Sequence, residues 1–354
     1  MGGVTRQFFI GNKVVDDSTA PYCLAEIGNN HGGNLETCKL LIRAAADAGF
    51  DCVKLQRRTL EKLYTRAFLD QSYSSENSYG ATYGEHRAAL EFDREQYREL
   101  IDYTRSLGMH FACTAFDEWA ADFLAELGID AIKIASGDIH STPLLMHVAG
   151  IGLPVIVSTG TANAGDVDRA VEVMSDCVSP ERFCVLQCTA EYACPAEHLN
   201  LRVVETYRNR YPATVIGLST HYNGPQAPSW AFILGARVFE MHVTLDRAGK
   251  GTDHKFSLEP HGQKSMVRDL RRVAVALGDG VKRQFPEEAG AITKMGKSIT
   301  AACDLSAGTR LEPHHLAFKT PGGHIPPWRY PDLLGMVLSR DVKADEPIAY
   351  NMVA

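Results

Sequence analysis

Two lysines stand inside otherwise apolar runs, Lys54 in DCVKLQ (51–56) and Lys133 in AIKIAS (131–136). An ammonium group taken out of water must find a partner or lose its proton. Together with the hydroxyls of Thr114, Ser136, Ser158 and Ser219, which close similar runs, two such lysines suit a small phosphate or carboxylate. A single such lysine could be a solvated strand end, and the alternative for the two is a structural ion pair with Glu26. Gln56 follows Lys54 by two residues and so shares its side of an extended chain. His221 in IGLSTHYNG and His242 in RVFEMHV also end apolar runs. On neighbouring strands, about 4.8 Å apart, the two imidazoles could share one metal ion; they could also be satisfied core histidines. Two histidines, completed by Glu26 or water, suit an octahedral Mn2+ or Mg2+ better than a closed zinc site. Tyr192 follows another run, while Asp253 and His254 in GKGTDHKFSLEP either reach the site or close its rim.

The elements that must position these groups alternate along the chain. Apolar runs at 22–28, 51–56, 110–114, 131–136, 154–158, 183–188, 214–219 and 237–243 read as eight strands. Segments with helical spacing separate them, beginning with Leu35, Cys38, Ile42 and Ala45 and ending around 262–277. Strand–helix alternation implies parallel strands, and uniformly apolar strands imply burial on both faces. Eight units predict a closed (β/α)8 TIM barrel of the α/β class. GNNHGG after the first strand does not match a dinucleotide fingerprint, which argues against an open nucleotide-binding sheet. In such a barrel the chemistry sits at the C-terminal strand ends, where the residues named above fall. The connection 57–93 is long for a strand-to-helix link, and long loops at this end usually cover or build a site. Arg57 and Arg58 within it form a basic pair.

The expected organisation is an N-terminal β-like extension (1–20), a catalytic barrel (21–280), a linker (281–294) and a small mostly-β domain (295–354) with Gly- and Pro-rich turns. The 354 residues are 45% hydrophobic and 22% charged with a net charge of −7, a globular balance that disfavours a general nucleic-acid binder. No apolar stretch is long enough for a membrane span, and the N-terminus does not resemble a secretion signal. The nine cysteines form no C-x-x-C pair and sit largely in apolar runs, as expected in a reducing cytoplasm without disulfides.

The motifs AEIGNNHGG, VKLQ, TYGEHRAALEF, KIASGD, QCTAEY, LSTHYNG and MHVTLDRAGKGTDHKFSLEP, in this order over residues 22–277, resemble the sialic acid synthase family. The likeness includes both N-acetylneuraminate synthases and the 9-phosphate synthases, and the C-terminal segment is similar, more loosely, to their antifreeze-like (SAF) domain. The resemblance implies condensation of phosphoenolpyruvate with an N-acylated hexosamine, N-acetylmannosamine or its 6-phosphate, to a nine-carbon 2-keto acid. Phosphate leaves with C–O cleavage. Lys54, Lys133, Ser136, Ser158 and Ser219 match positions that hold phosphoenolpyruvate, and His221 and His242 match metal ligands. Glu26 matches an acid near the reacting carbons. Gln56, Tyr192 and Asp253 match residues near the sugar; Thr114 and Asp138 carry over more loosely. A domain-swapped homodimer is also implied. Met241, Ala193 and Thr320 depart from the family pattern and leave the acceptor open, so the same chemistry on another aldose, of the legionaminic, pseudaminic or deaminated type, is the alternative. Set against this resemblance, the basic pair Arg57 and Arg58 either favours a phosphorylated sugar or lies on the surface. A sugar- or phosphate-binding barrel without turnover would require a missing core group, and none is missing.

Overall fold

A computed structural model describes residues 6–354; the first five residues of the expected N-terminal extension lie outside the described ones. The chain divides into two compact units, Met1–Gly278 and Asp279–Ala354. Residues Gln7–Ile10 (β1) and Lys13–Asp16 (β2) form an antiparallel hairpin. Eight parallel strands then close a barrel: β3 (Tyr22–Gly28), β4 (Cys52–Arg57), β5 (His110–Ala115), β6 (Ala131–Ile134), β7 (Val155–Ser158), β8 (Phe183–Gln187), β9 (Val215–Thr220) and β10 (Val238–His242). Each pairs with its chain neighbour, and β10 returns to β3. The eight expected strands are all present. The fourth stops two residues earlier than expected, because Ser136–Asp138 turn into a single 3-10 turn.

Side-chain parity divides the barrel into two cores. Outward residues such as Cys23, Ala25, Ile27, Val53, Leu55, Ile132 and Phe239 pack under the helices. Inward residues Leu24, Cys52, Ala112, Ala131, Ile156, Cys184, Leu186, Val215 and Val238 fill the lower axis. Phe8, Ile10 and Val15 of the hairpin join this second core and are 0–2% exposed, so the hairpin plugs the base. Above that apolar floor the same parity puts Glu26, Lys54, Thr114, Lys133, Ser158, Ser219, Glu240 and His242 on the axis, all buried. The helices are regular amphipathic elements with local stop signals. Leu35–Ala48 is capped by the Asn34 side chain and ends at Gly49, whose φ of 89° suits a residue without Cβ.

In the second unit, β11 (Ser298–Ala301) pairs antiparallel with β12 (Leu316–Lys319) over a small core that includes Ile299, Leu311, Leu333, Leu338 and Ile348. The segment expected as a linker carries structure: Pro286–Glu288 turn into a helix at Ala289–Met295, which uses the helix-favouring alanines of that stretch and stops at Gly296. None of the described helices is long and apolar enough to cross a membrane. The nine cysteines are unpaired, and all but Cys177 and Cys303 are buried.

The plug makes a quantitative expectation. Phe8→Ala removes a fully buried ring from the barrel base and should destabilise the protein by about 3–5 kcal/mol, read as a lower urea midpoint. A change below about 1 kcal/mol would show that the hairpin is not part of the barrel core.

Candidate active site

At the C-terminal strand ends lies a cavity of about 590 Å3, lined by residues from all eight strands or the turns just beyond them. This volume suits ligands of metabolite size. Four buried charges form its floor. Lys54 Nζ lies 2.6 Å from Glu26 Oε2, 3.7 Å from Glu240 Oε1 and 2.8 Å from Thr114 Oγ1. Lys133 Nζ lies 3.6 Å from Glu240 Oε2 and donates to the Ile134 carbonyl at 3.1 Å. Strand register explains the set: Glu26 stands opposite Lys54, Thr114 opposite Lys133, and Ser219 opposite Glu240. Both lysines are ion-paired, and the pairs sit in the cavity wall.

The electrostatics sort the four groups. Burial opposes ionisation of Glu240, but Lys133 and Lys54 overcome it and hold the carboxyl down at about 2. Burial pushes Glu26 up to about 7 against the pull of Lys54, with Glu240 adding to the rise. Burial also opposes charge on Lys54, yet Glu240 and Glu26 together keep it above the ordinary lysine value. Lys133 has a single carboxylate partner, and burial brings it below. Glu240 is thus the permanent anion, and Glu26 is the carboxyl that changes protonation near neutrality.

Gly28 shapes the wall beside Glu26. The β3–β4 register shifts between Glu26 and Gly28, and Gly28 has a φ of 56°. A Cβ there would stand 3.1 Å from Glu26 Oε1, 3.3 Å from Gln56 Nε2 and 3.3 Å from Asp253 Oδ2, so glycine lets three polar tips converge. Gln56 Nε2 donates to Glu26 Oε1 at 2.7 Å.

The two histidines face each other across the mouth, with ring centroids 5.2 Å apart and Phe256 against both. His221 Nδ1 donates to the Thr189 carbonyl at 3.0 Å, which leaves a lone pair on Nε2. Tyr192 stacks on that ring at 4.0 Å. His242 Nδ1 is buried without a hydrogen-bond partner, and Asp253 Oδ2 lies 3.7 Å away. Burial lowers both imidazoles, His221 to about 4, so each is neutral at pH 7. Two neutral rings, one with an orphaned nitrogen, match the donor set of a divalent cation. Among the described residues no cluster of three His, Cys, Asp or Glu groups could hold an ion alone, so such a site would be open to water or ligand.

Of the residues singled out in the sequence, Glu26, Lys54, Gln56, Thr114, Lys133, Ser136, Ser158, Tyr192, Ser219, His221, His242 and Asp253 all line this one cavity. Asp138 does not: the 3-10 turn carries it off the lining, where burial raises its carboxyl to about 6. His254 also stays out of the lining, with Nδ1 held at 2.7 Å from Thr244 Oγ1. The long 57–93 connection does build the site, contributing Arg58 and Arg87. Glu240 was missed by sequence reasoning. Its signal was available, an acid two residues before His242 in an otherwise apolar strand, and hence on the same side.

Removing the permanent anion should be costly. Glu240→Gln leaves Lys133 without a carboxylate and should destabilise the fold by about 3–5 kcal/mol at neutral pH. Because Glu240 is depressed when folded, its contribution is complete above the unfolded carboxylate value of about 4.3. It fades as pH falls toward about 2. The gap in unfolding free energy between wild type and variant should therefore be constant above about pH 4.3 and narrow as pH falls from there toward about 2; a gap that stays constant into strong acid would contradict the assignment.

Comparison with known proteins gives this arrangement its relatives. Residues 41–282 match the NeuB family and residues 296–354 the SAF domain. The chain is 38% identical to the N-acetylneuraminate-9-phosphate synthase of Homo sapiens, over 94% of this chain and 92% of that protein. It is 33% identical to the N,N'-diacetyllegionaminic acid synthase of Campylobacter jejuni, over 92% and 98%. Among solved structures, the N-acetylneuraminic acid synthetase of Leptospira borgpetersenii superposes with a TM-score of 0.69 at 30% identity, covering 82% of this chain and 97% of that one. With barrel, site and C-terminal domain all accounted for, the chain belongs to the NeuB family and carries a SAF domain at its C-terminus.

Proposed function

We propose that this protein condenses phosphoenolpyruvate with an N-acylated hexosamine to a nine-carbon 2-keto acid of the sialic acid type, releasing phosphate. The observation that supports this reading most is the buried lysine pair beside a carboxyl poised near neutrality, in a cavity shared with two neutral histidines. Lys54, Lys133 and the hydroxyls of Thr114, Ser136, Ser158 and Ser219 bind the phosphate and carboxylate of phosphoenolpyruvate; the buried Ser158 hydroxyl has no protein partner to give up. The enol carbon C3 attacks the sugar aldehyde, water adds at C2, and the C2–O bond to phosphate breaks. Glu26 holds or moves the proton of that water, and Gln56 keeps its carboxyl oriented. Tyr192 and Asp253 position the sugar from the rim.

His221 and His242 would hold a divalent ion, Mn2+ or Mg2+, which as a Lewis acid would polarise the sugar carbonyl. The relatives named above support phosphoenolpyruvate and an amino sugar as partners. We also propose that the enzyme works in the cytoplasm as a homodimer in which the SAF domain serves the neighbouring barrel. The nine unpaired cysteines, all buried but Cys177 and Cys303, agree with a reducing compartment.

The reading is tested by phosphate release from phosphoenolpyruvate over a panel of N-acylated hexosamines and their phosphates, with Mn2+ present or chelated, and products weighed by mass spectrometry. Release without any sugar-dependent product would sink it. His221→Ala should lower Mn2+ affinity by calorimetry and reduce kcat at least 100-fold; unchanged metal affinity would remove the ligand assignment.

A further inference from the structure

The two arginines that follow Gln56 have different fates. Arg57 has outward parity: its guanidinium lies over the Phe123 ring at 4.6 Å, and Nη1 donates to the Phe92 carbonyl at 2.9 Å and to Glu91 Oε2 at 3.3 Å. Arg58 has inward parity, in line with Lys54 and Gln56, and lines the cavity while only 6% exposed. At about 3.3 Å per residue its backbone stands roughly 13 Å beyond that of Lys54 along the strand direction, toward the mouth of the cavity.

Arg58 is held but not satisfied. Nη2 donates to Gln56 Oε1 at 2.6 Å, the backbone N–H donates to Glu91 Oε2 at 3.2 Å, and the guanidinium stacks over Phe116 at 4.0 Å. Nε and Nη1 are buried with no hydrogen-bond partner, and the nearest carboxylate, Glu91, stands 3.7 Å from Nη1 and is already engaged by Arg57. A buried guanidinium with free N–H groups is expensive unless an anion completes it. A second cation faces the same space. Arg87, on the helix Tyr83–Ala88, lines the cavity; its Nε donates to the Tyr83 hydroxyl at 2.9 Å, and it makes no ion pair among the described residues. On the floor, by contrast, each lysine has its carboxylate.

We infer that Arg58 and Arg87 form a second anion subsite, which takes a phosphate monoester on the end of the acceptor sugar remote from its aldehyde. This rests on the proposed condensation and narrows its acceptor to a phosphorylated hexosamine. Guanidinium forks match phosphate oxygens bidentately, and a loop that carries one arginine at its root and another on its helix closes them on the ligand from two sides. Gln56 links the subsite to the reacting end, since it contacts Arg58 through its oxygen and Glu26 through its nitrogen.

The test compares an N-acylated hexosamine with the same sugar phosphorylated at C6, using the full chain with Mn2+ and phosphoenolpyruvate. Wild type should favour the phosphorylated sugar in kcat/KM. Arg58→Gln and Arg87→Gln should each reduce that preference at least tenfold, chiefly through the acceptor KM, and Arg58→Lys should restore part of it. Equal losses with both sugars, a raised KM for phosphoenolpyruvate, or no preference in wild type would overturn the subsite. Should Arg58→Gln fail to fold, the half-buried Arg87 decides alone. Absence of turnover with either sugar would count against the condensation itself. Calorimetry with the sugar 6-phosphate then judges the subsite separately: binding that is lost in Arg87→Gln upholds it, and no binding to wild type removes it.

Discussion

Four charges buried on the barrel axis set the terms for everything above them. Lys54, Lys133, Glu26 and Glu240 are each at most 4% exposed. An ion in such a place costs several kcal/mol unless it is paired at close range. The pairs come from β3, β4, β6 and β10, which only a closed barrel brings to one axis. In an open sheet β3 and β10 would be separate edges; here they are neighbours, and His242 stands opposite Glu26. The quartet is balanced but unequal. Glu240 stays ionised between two ammonium groups, while Glu26 sits near its titration point. An anionic ligand entering beside the lysines raises the cost of two carboxylates, and Glu26 is the one able to take up a proton in response.

Such a quartet requires rigidity below and closure above. The lower axis is filled by small and branched apolar side chains and stoppered by the Phe8–Ile10–Val15 face of the hairpin. The upper rim is built by loops tied to each other. The Tyr79 hydroxyl donates to the Lys250 carbonyl at 2.6 Å, and the Gly251 N–H donates to Asn77 Oδ1 at 2.9 Å, joining the 57–93 connection to the loop after β10. Stability is thus concentrated at one end of the barrel and chemistry at the other, and substitutions at the rim can alter ligand choice without disturbing the floor.

Much of this is legible in the chain itself. Eight apolar runs, spaced by helical periodicity, required a parallel barrel, and barrel geometry required the polar residues ending those runs to meet. Twelve of the residues so identified line one cavity. The failures are informative. Asp138, placed by motif alone, lies off the lining, although Ser136 and Gly137 of the same 3-10 turn belong to it. The helix at Ala289–Met295 lies in a stretch whose proline and acidic residues read as a linker. Glu240 was hidden by the apolar residues around it, since a carboxylate in a buried strand makes sense only once its cationic partners are known.

Sequence by itself determined the order of strands and helices, the parity of each strand and the list of groups that can do chemistry, because these are local properties of spacing and side-chain type. Tertiary structure decided which of those groups share space. Parity sets Arg57 and Arg58 on opposite sides, but only the fold lays one on Phe123 and leaves the other in the cavity with Nε and Nη1 unpartnered. Glu26 and Glu240 are both buried glutamates, yet one is raised and the other lowered. The reason is the same in each case: burial and charge pairing depend on neighbours from distant parts of the chain, and barrel closure is what makes them neighbours.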